Sequence, residues 1–484
     1  MNKLSRKTIS DPKVRKLKVL QFGGGNFLRA FVDWMVQRMN DICDYQGGII
    51  LVKPTEGGNY DELIGQDGLY HVVTSGFVKG QEIEHIELIS CIDRIIHPYE
   101  QFVDFLDTAK REELHVIVSN TTESGIVYQK ENKSASPPNS FPGKLCRWLK
   151  ERFDHFEGDP SCGCIILPCE LIEANGDTLK NILMQIVQDW DYGDGFVSWL
   201  EEHNVFCNTL VDRIVPGKPD AEKLSQYQKE LDLEDKQMVV GEPYHLFVIE
   251  GPARIEQEFP LQKAGIQAIY TDDLSTYRLQ KVRLLNGAHT SMVPVGLLTG
   301  MTSVGEFIND PVLGAFLEKT MRQEIILSIK DVDKEQLENY TNDILDRFRN
   351  PFVQHQLKSI ALNSLSKFVV RVLPSIEGYL ELHGKLPERL VVAFAALIRF
   401  YQGEWREKAL PVQDDHDLIE IIQNRWKEYL DGTNTLVQLS ENLLSDKRLW
   451  GRNLNEIPKL KIHLAGALQI IERGDLEDEI RRLS

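Results

Sequence analysis

Lys281, Asn286 and His289 stand in an otherwise apolar stretch, residues 279–298, behind the acidic and turn-prone Thr271-Asp272-Asp273. At about 100° per residue they fall at roughly 0°, 140° and 80°, on one half of a helix, where they can converge on one small molecule. A lysine in apolar surroundings loses the solvation of its charged form, so its pKa is expected to fall toward neutrality. That suits a general acid or base near pH 7. An ordinary core helix fits the same spacing, its lysine snorkelling outward and its Asn and His bonded to backbone. A second signal is therefore needed.

It comes from the N-terminal part. Lys18-Val19-Leu20-Gln21-Phe22 reads as a short buried strand, broken by Gly23-Gly24-Gly25 and followed by an amphipathic helix from Asn26 to Val36. Strand, glycine turn and helix open a dinucleotide-binding fold, in which the backbone approaches a pyrophosphate seated on the helix N-terminus. Phe22, Gly23, Gly24, Gly25, Asn26 and Phe27 are thus the expected cofactor contacts, although Leu28 stands where G-x-G-x-x-G has its third glycine. The next strand, residues 48–54, carries Lys53 where an acid would hold the ribose hydroxyls of NAD, with Glu56 just beyond. A lysine equally suits a 2′-phosphate, so NAD is the expected cofactor and NADP stays open.

Residues 115–120 form another buried strand, ending in Thr121-Thr122-Glu123-Ser124-Gly125. Thr122 and Glu123 sit where open α/β sheets bind ligands, although a capped helix start fits the same residues. Residues 70–78 and 83–93 alternate like antiparallel strands inserted in the sheet. Residues 162–169 read as a strand leading to Asn175-Gly176, and the run 209–216, with Val211 and Asp212, closes a further unit. Beyond about residue 276 strand patterns give way to helical periodicity over 276–299, 311–329, 334–348, 352–368, 386–403, 415–430, 434–446 and 458–472. The expected fold is α/β: a Rossmann-like dinucleotide-binding domain with extra strands over 1–275, then a mostly helical substrate and catalytic domain over 276–484.

Bulk properties narrow the partners. The chain of 484 residues has room for two or three domains, and 42% apolar with 26% charged residues is ordinary for a soluble globular protein. A formal charge of -18 argues against nucleic acid or an acidic membrane surface, and an anionic substrate would need local Lys or Arg. Seven cysteines form no disulfide framework; Cys162, Cys164 and Cys169 cluster, but no further pair or histidine completes a zinc site. No signal peptide or membrane-length apolar run is present, which predicts a cytoplasmic protein, a monomer or homodimer acting on a small molecule.

Taken together, these segments resemble the polyol-specific long-chain dehydrogenases, the mannitol dehydrogenase family, over nearly the whole chain. Lys-x4-Asn-x2-His is matched by Lys281, Asn286 and His289, and the N-terminal G-x-G-x-F-x-R-A pattern by Gly23, Gly25, Phe27, Arg29 and Ala30. Thr122, Glu123 and Gly125 match a strand-end motif, Asn175-Gly176 an Asn-Gly motif, and residues 211–214 the run Val-Asp-Arg-Ile. The runs LQFGGGNFLRAFVDW, SNTTESGI, KVRLLNGAHTSMVP and LNSLSKFVVRVLPS carry a closer likeness to the hexuronate reductases of that family.

The resemblance implies metal-free, NAD(P)-dependent hydride transfer to C3 of a keto sugar acid, D-tagaturonate. Lys281 would give the proton, Asn175 and Asn286 would hold the carbonyl oxygen, and His289 would orient a neighbouring hydroxyl, in a cleft between the domains. Lys367 and Arg371, with His355 near in sequence, are candidates for the substrate carboxylate, although solvated helix cations fit as well. Arg278 replaces the Glu that mannitol dehydrogenases carry three residues before the lysine, and an Arg there could meet the anion. Fructuronate reduction and polyol oxidation are the alternatives within the family. A nucleotide sensor on the same scaffold has no need of the full catalytic set.

Overall fold

The computed structural model describes residues 1–9, 15–121, 123–351 and 355–484. The chain forms two compact units, residues 1–76 with 82–275 and residues 77–81 with 276–484.

The first unit is built on a six-stranded parallel sheet. In chain order its strands are β1 (Lys16–Phe22), β2 (Gly47–Val52), β3 (Ile92–Ile96), β4 (Val116–Ser119), β5 (Ile165–Pro168) and β6 (Val205–Phe206). The spatial order is β3-β2-β1-β4-β5-β6, and the strand order reverses between β1 and β4. Dinucleotide folds bind at this reversal, outside the carboxyl ends of the strands. The sheet is buried on both faces, so its strands are continuous apolar runs rather than half-polar ones. Val19, Ile49, Leu51, Val116, Val118, Ile165 and Leu167 pack on one face. Leu20, Phe22, Ile50, Val52, Ile117 and Ile166 pack on the other. Each such side chain contributes roughly 1.5–3 kcal/mol on burial.

Two small sheets flank this core. Asn208–Asp212 runs antiparallel to Leu246–Glu250, which pairs parallel with Ala268–Thr271. Tyr70–Val78 lies between Gln81–Ile89 and Val239–Gly241. The sequence expectation of a strand over 83–93 is corrected here: the small-sheet strand ends at Ile89, and Ile92–Ile96 is a separate member of the parallel sheet. Its first apolar residue follows so closely that periodicity alone cannot show the break.

The second unit is mostly helical. Glu388–Phe400 is apolar on nearly every side and buried from Leu390 to Phe400, and it packs against Leu460–Glu472 and Gly287–Leu298. A helix apolar all round belongs at the centre of a domain. The expected helix over 276–299 is corrected in its winding: Ser275–Gln280 and Gly287–Leu298 are α-helical, and Lys281–Asn286 between them is a π-helix. The run expected over 352–368 also differs. Leu357–Ile360 and Ser364–Arg371 are separated by Asn363, whose φ of +52° lies in the left-handed region that Asn tolerates better than most residues. Leu373–His383 is a helix the periodicity did not reveal, and Glu404–Trp405 pairs with Lys408–Ala409 as a minimal hairpin. Among the described residues no helix is long and apolar enough to cross a membrane.

Candidate functional site

In the first unit the polypeptide backbone dominates the candidate site. The Gly23 N–H donates to Val52 O and the Asn120 N–H to Phe22 O, which ties the ends of β1, β2 and β4 together. Gly23 has φ +108°, and a Cβ there would lie 2.9 Å from Asn120 O. At Gly24 a Cβ would meet the Tyr60 ring at 2.5 Å, and the Gly24 N–H donates to Tyr60 Oη at 2.9 Å. Gly25 is different. Its Cβ position faces open space, and it caps the following helix with no side-chain hydrogen bond. The first amides of a helix have no partner within it, so an uncapped start beside open space suits an anion.

Phe22 is buried with its ring on Phe141, so only its backbone belongs to the turn. Asn26 Oδ1 accepts from Arg29 Nη2 at 2.6 Å, and Phe27 stacks on Phe31. Leu28, in the place of the third glycine, is buried beneath Gly23. Beyond it the helix widens into a π segment, Arg29–Asp33. Asp33 is fully buried and accepts from Tyr70 Oη at 2.8 Å, and burial pushes its carboxyl up to about 7.

At the end of β2, Lys53 is buried and its Nζ lies 2.6 Å from His97 Nε2. At the end of β4, Glu170 performs a task the sequence did not announce. Its Oε1 accepts from Thr121 N at 2.9 Å and from Thr121 Oγ1 at 3.0 Å, while Oε2 accepts from Ser119 Oγ at 3.0 Å. Glu170 is buried, which raises its pKa, and these donors hold part of that shift back. The one clue in the sequence is an acid directly after an apolar strand. Thr122 and the Glu123 side chain lie outside the described residues.

Asn175 is spent within its own unit. Nδ2 donates to Pro168 O at 2.9 Å and to Glu170 O and Thr209 Oγ1 at 3.1 Å, and Oδ1 accepts from Thr209 N at 2.8 Å. This geometry makes it a brace between the end of β5 and the strand Asn208–Asp212. A Cβ on Gly176 would lie 2.4 Å from the Cys207 carbonyl, so that crossing needs glycine. Val211 and Asp212 are buried in Asn208–Asp212, and Arg213 beyond them donates to Glu242 O and lies over the Trp34 ring at 4.3 Å.

In the second unit side chains dominate. Lys281 and Asn286 are half-buried at the two ends of the π segment, and His289 is buried on the α-helix after it. Because i→i+5 bonding widens the turn, the angular positions calculated at a constant pitch do not carry through this stretch. The His289 ring lies 4.5 Å from that of Phe348 and edge-on to His355 at 5.2 Å. Burial lowers the His355 pKa, with Arg347 adding to the shift, so the ring is neutral at pH 7. Arg283 is a pin for the π segment: Nε donates to Ser375 Oγ at 2.7 Å and Nη2 to Ser328 Oγ at 2.9 Å.

Ser364–Arg371 packs against the π segment and against Gly287–Leu298, and a Cβ on Gly287 would come within 3.1 Å of Arg371 O. It carries Lys367 and Arg371, both half-buried. Lys367 Nζ donates to Ile360 O at 2.9 Å; burial and then Arg371 lower its pKa, while Asp414 opposes them. Burial lowers Arg371 as well. Arg278 is half-exposed on Ser275–Gln280. Among the described residues, the one trio of metal-ligating side chains that gathers is His416, Asp417 and Glu420, and all three are exposed on the surface of one helix.

Comparison with known proteins sets this geometry in context. Residues 17–263 match the mannitol dehydrogenase Rossmann domain, and residues 273–472 match the mannitol dehydrogenase C-terminal domain. An altronate oxidoreductase of Pectobacterium atrosepticum is 42% identical over 465 residues, covering 94% of this chain and 95% of that protein. An altronate oxidoreductase of Yersinia enterocolitica is 41% identical over 460 residues, with 94% and 95% covered. A D-sorbitol dehydrogenase crystal structure shares the fold at a TM-score of 0.81 with 19% identity, over 99% of this chain and 100% of that one. The Pseudomonas fluorescens mannitol 2-dehydrogenase ternary complex with NAD and D-mannitol does so at 0.68 with 21% identity, over 99% of each chain.

Proposed function

The chain belongs to the mannitol dehydrogenase family and is an oxidoreductase acting on CH–OH groups, and from that premise we propose that it reduces the 3-keto sugar acid D-tagaturonate to D-altronate. The glycine turn fits a dinucleotide: Gly23 and Gly24 have no room for side chains, and the uncapped helix start beside Gly25 offers amides to a pyrophosphate. A dinucleotide held there would supply the hydride as NADH and, in the reverse direction, accept it as NAD⁺. Residues 22–27 hold it, and Glu170, by fixing Ser119 and Thr121, keeps the end of β4 in shape beside the turn.

Lys281 is the general acid. As hydride reaches C3 the carbonyl oxygen gains charge, and the Lys281 ammonium gives it a proton; in the oxidative direction the neutral amine removes that proton from the hydroxyl. Asn286 donates a hydrogen bond to the same oxygen, and His289 orients a neighbouring substrate hydroxyl. Asn175 acts as a positioning residue, because its amide is engaged by the strand ends.

One observation supports the acid over the polyol. Lys367 and Arg371 sit half-buried, four residues apart, on the helix packed against the Lys281 segment, and burial lowers the pKa of both. Asp414 offsets part of the lowering at Lys367, while burial is the one cause acting on Arg371, and a substrate carboxylate would give these cations charge-assisted bonds.

The test is the initial rate of cofactor oxidation with D-tagaturonate, D-fructuronate and D-fructose. Tagaturonate should be strongly preferred. Fructuronate preference would keep the chemistry and overturn the substrate, and turnover of fructose alone would overturn the carboxylate argument too.

A further inference from the structure

Asp33 is a titratable group that neither the amides of the glycine turn nor the proton chemistry uses. It is the last residue of the π segment behind the turn and is fully buried. Three buried polar atoms of this layer have no hydrogen-bond partner among the described residues: Asp33 Oδ1, Arg29 Nε and Gln21 Oε1. The bonds that Arg29 does make go to neutral oxygens, Nη1 donating to Gln237 O and Nη2 to Asn26 Oδ1.

Tyr70 lies between the two charges. Its Oη is 3.0 Å from Arg29 O and 2.8 Å from Asp33 Oδ2, and its ring lies 5.1 Å from the Arg29 guanidinium. A phenol has one proton and cannot donate to two acceptors at once. With Asp33 protonated, its O–H donates to Tyr70 Oη and the phenol proton goes to Arg29 O, so both contacts are served. With Asp33 ionised, the phenol turns to the carboxylate, Arg29 O loses that donor, and the new negative charge offsets that of Arg29.

Both residues are tied to the turn. Arg29 holds the side chain of Asn26, the first residue of the helix that Gly25 caps. Gln21 Nε2 donates to Gly23 O at 3.0 Å, and the same side chain helps to hold the Asp33 carboxyl down against burial. A cation three residues behind the helix start attracts an anion seated there, and an ionised acid beside it weakens that attraction.

The other groups around this layer do not change charge near neutrality or are engaged. Burial raises Tyr70, Tyr60 and Cys91, so all three are neutral at pH 7, and Cys91 Sγ donates to Asp33 O. Asp235, the second acid near Arg29, lies 2.9 Å from His71 Nδ1.

We propose that Asp33 is a positioning residue acting through Arg29, so that the glycine turn holds the anionic dinucleotide more tightly when Asp33 is protonated and binding draws a proton onto it. This rests on the dinucleotide reading of the turn, and the two can fail separately. Affinity is then highest below the titration range of Asp33 and falls as pH climbs through it.

The experiment is calorimetric binding of ADP-ribose to the full chain from about pH 6 to 8.5. This probe carries the pyrophosphate, has no phosphate monoester to titrate in that range, and lacks the nicotinamide. Its affinity should fall by about tenfold across the range, a coupling of ordinary size between two sites. Near neutrality, titrations in two buffers of different ionisation enthalpy should show net proton uptake. Asp33→Asn should bind at every pH as the protonated chain does, with no proton uptake. If that variant does not fold, Tyr70→Phe, which removes a donor to the ionised carboxylate, should move the fall to higher pH. A flat affinity in the unaltered chain, or a fall that Asp33→Asn retains, overturns this inference and leaves the dinucleotide reading intact. Failure of ADP-ribose to bind at any pH overturns both.

Discussion

The glycine turn and the Lys281 segment both run into a π-helical stretch, Arg29–Asp33 in the first unit and Lys281–Asn286 in the second. They use it differently. In the turn the groups proposed to face the dinucleotide are amides and missing side chains, while the π stretch behind it is a buried layer: Arg29, Asp33 and Tyr70 lie beneath, out of water. In the second unit the π stretch itself bears the groups proposed for the chemistry, with Lys281 and Asn286 at its ends and Arg283 anchoring its middle on two serines. A third π stretch, Met321–Ile325, packs on the Lys281 segment and bears no candidate site residue. Widened turns are therefore not by themselves a mark of chemistry in this chain. What differs is whether the widening presents side chains or merely accommodates them.

The largest expected effect tests that division directly. Lys281→Ala should lower kcat by about 10²–10⁴, the range that general acid–base groups contribute, while binding of 5′-AMP stays at the wild-type level. Stopped-flow turnover and calorimetry on the same preparation give both numbers. Parallel loss of turnover and adenosine binding would make Lys281 a structural residue and erase the contrast between the two regions.

The buried layer beneath the turn makes a second, smaller prediction. The Asp33 carboxyl is raised from an ordinary 3.8 to about 7, chiefly by burial, with Tyr70, Gln21 and Arg29 opposing the shift. A carboxyl raised on folding binds its proton more tightly in the folded chain than in the unfolded one. Its contribution is therefore favourable below the unfolded value and is lost as pH climbs from near 4 toward 7. The full difference corresponds to roughly 4 kcal/mol. Asp33→Asn, which keeps an acceptor for Tyr70 and carries no titrating group, should flatten the fall in Tm between pH 5 and 8 and raise Tm at the alkaline end. An unchanged Tm profile would mean that Asp33 stays ionised in the folded chain.

What the sequence revealed follows the same line between backbone and side chain. The parallel sheet and its glycine turn were legible because each depends on local residue choice: runs such as Val19, Leu20 and Phe22 for a strand buried on both faces, and glycine where a Cβ would strike Asn120. The strand ends were legible in place but not in content. Glu170 holds Ser119 and Thr121 across 51 and 49 residues of chain, and Lys53 meets His97 across 44, contacts that no periodicity encodes. Asn175 was read as a substrate contact from its motif, and only the surrounding carbonyls show how its amide is used. The π segment escaped because nothing in Lys-Val-Arg-Leu-Leu-Asn distinguishes a widened turn from an ordinary one. The partners that anchor it through Arg283, Ser375 and Ser328, lie 92 and 45 residues away.

The smallest effect is the most discriminating for the second region. Arg371 is half-buried, and its pKa is lowered by burial rather than raised by a neighbouring acid. If it meets the substrate carboxylate, removing it costs one or two charge-assisted hydrogen bonds, about 1.5–3 kcal/mol each, and these are made equally in ground and transition states. Arg371→Ala should therefore raise KM for D-tagaturonate by about tenfold or more while leaving kcat near the wild-type value. The same variant should leave KM for an uncharged ketose unchanged, because no carboxylate is lost from that complex. Equal rises for both substrates would show that Arg371 supports the packing of Ser364–Arg371 on the Lys281 segment, and the anion site would then pass to Lys367 or Arg278. A fall in kcat with KM unchanged would instead mean that Arg371 sets the position of Gly287, whose Cβ site lies 3.1 Å from its carbonyl oxygen, and through it the pitch of the π segment.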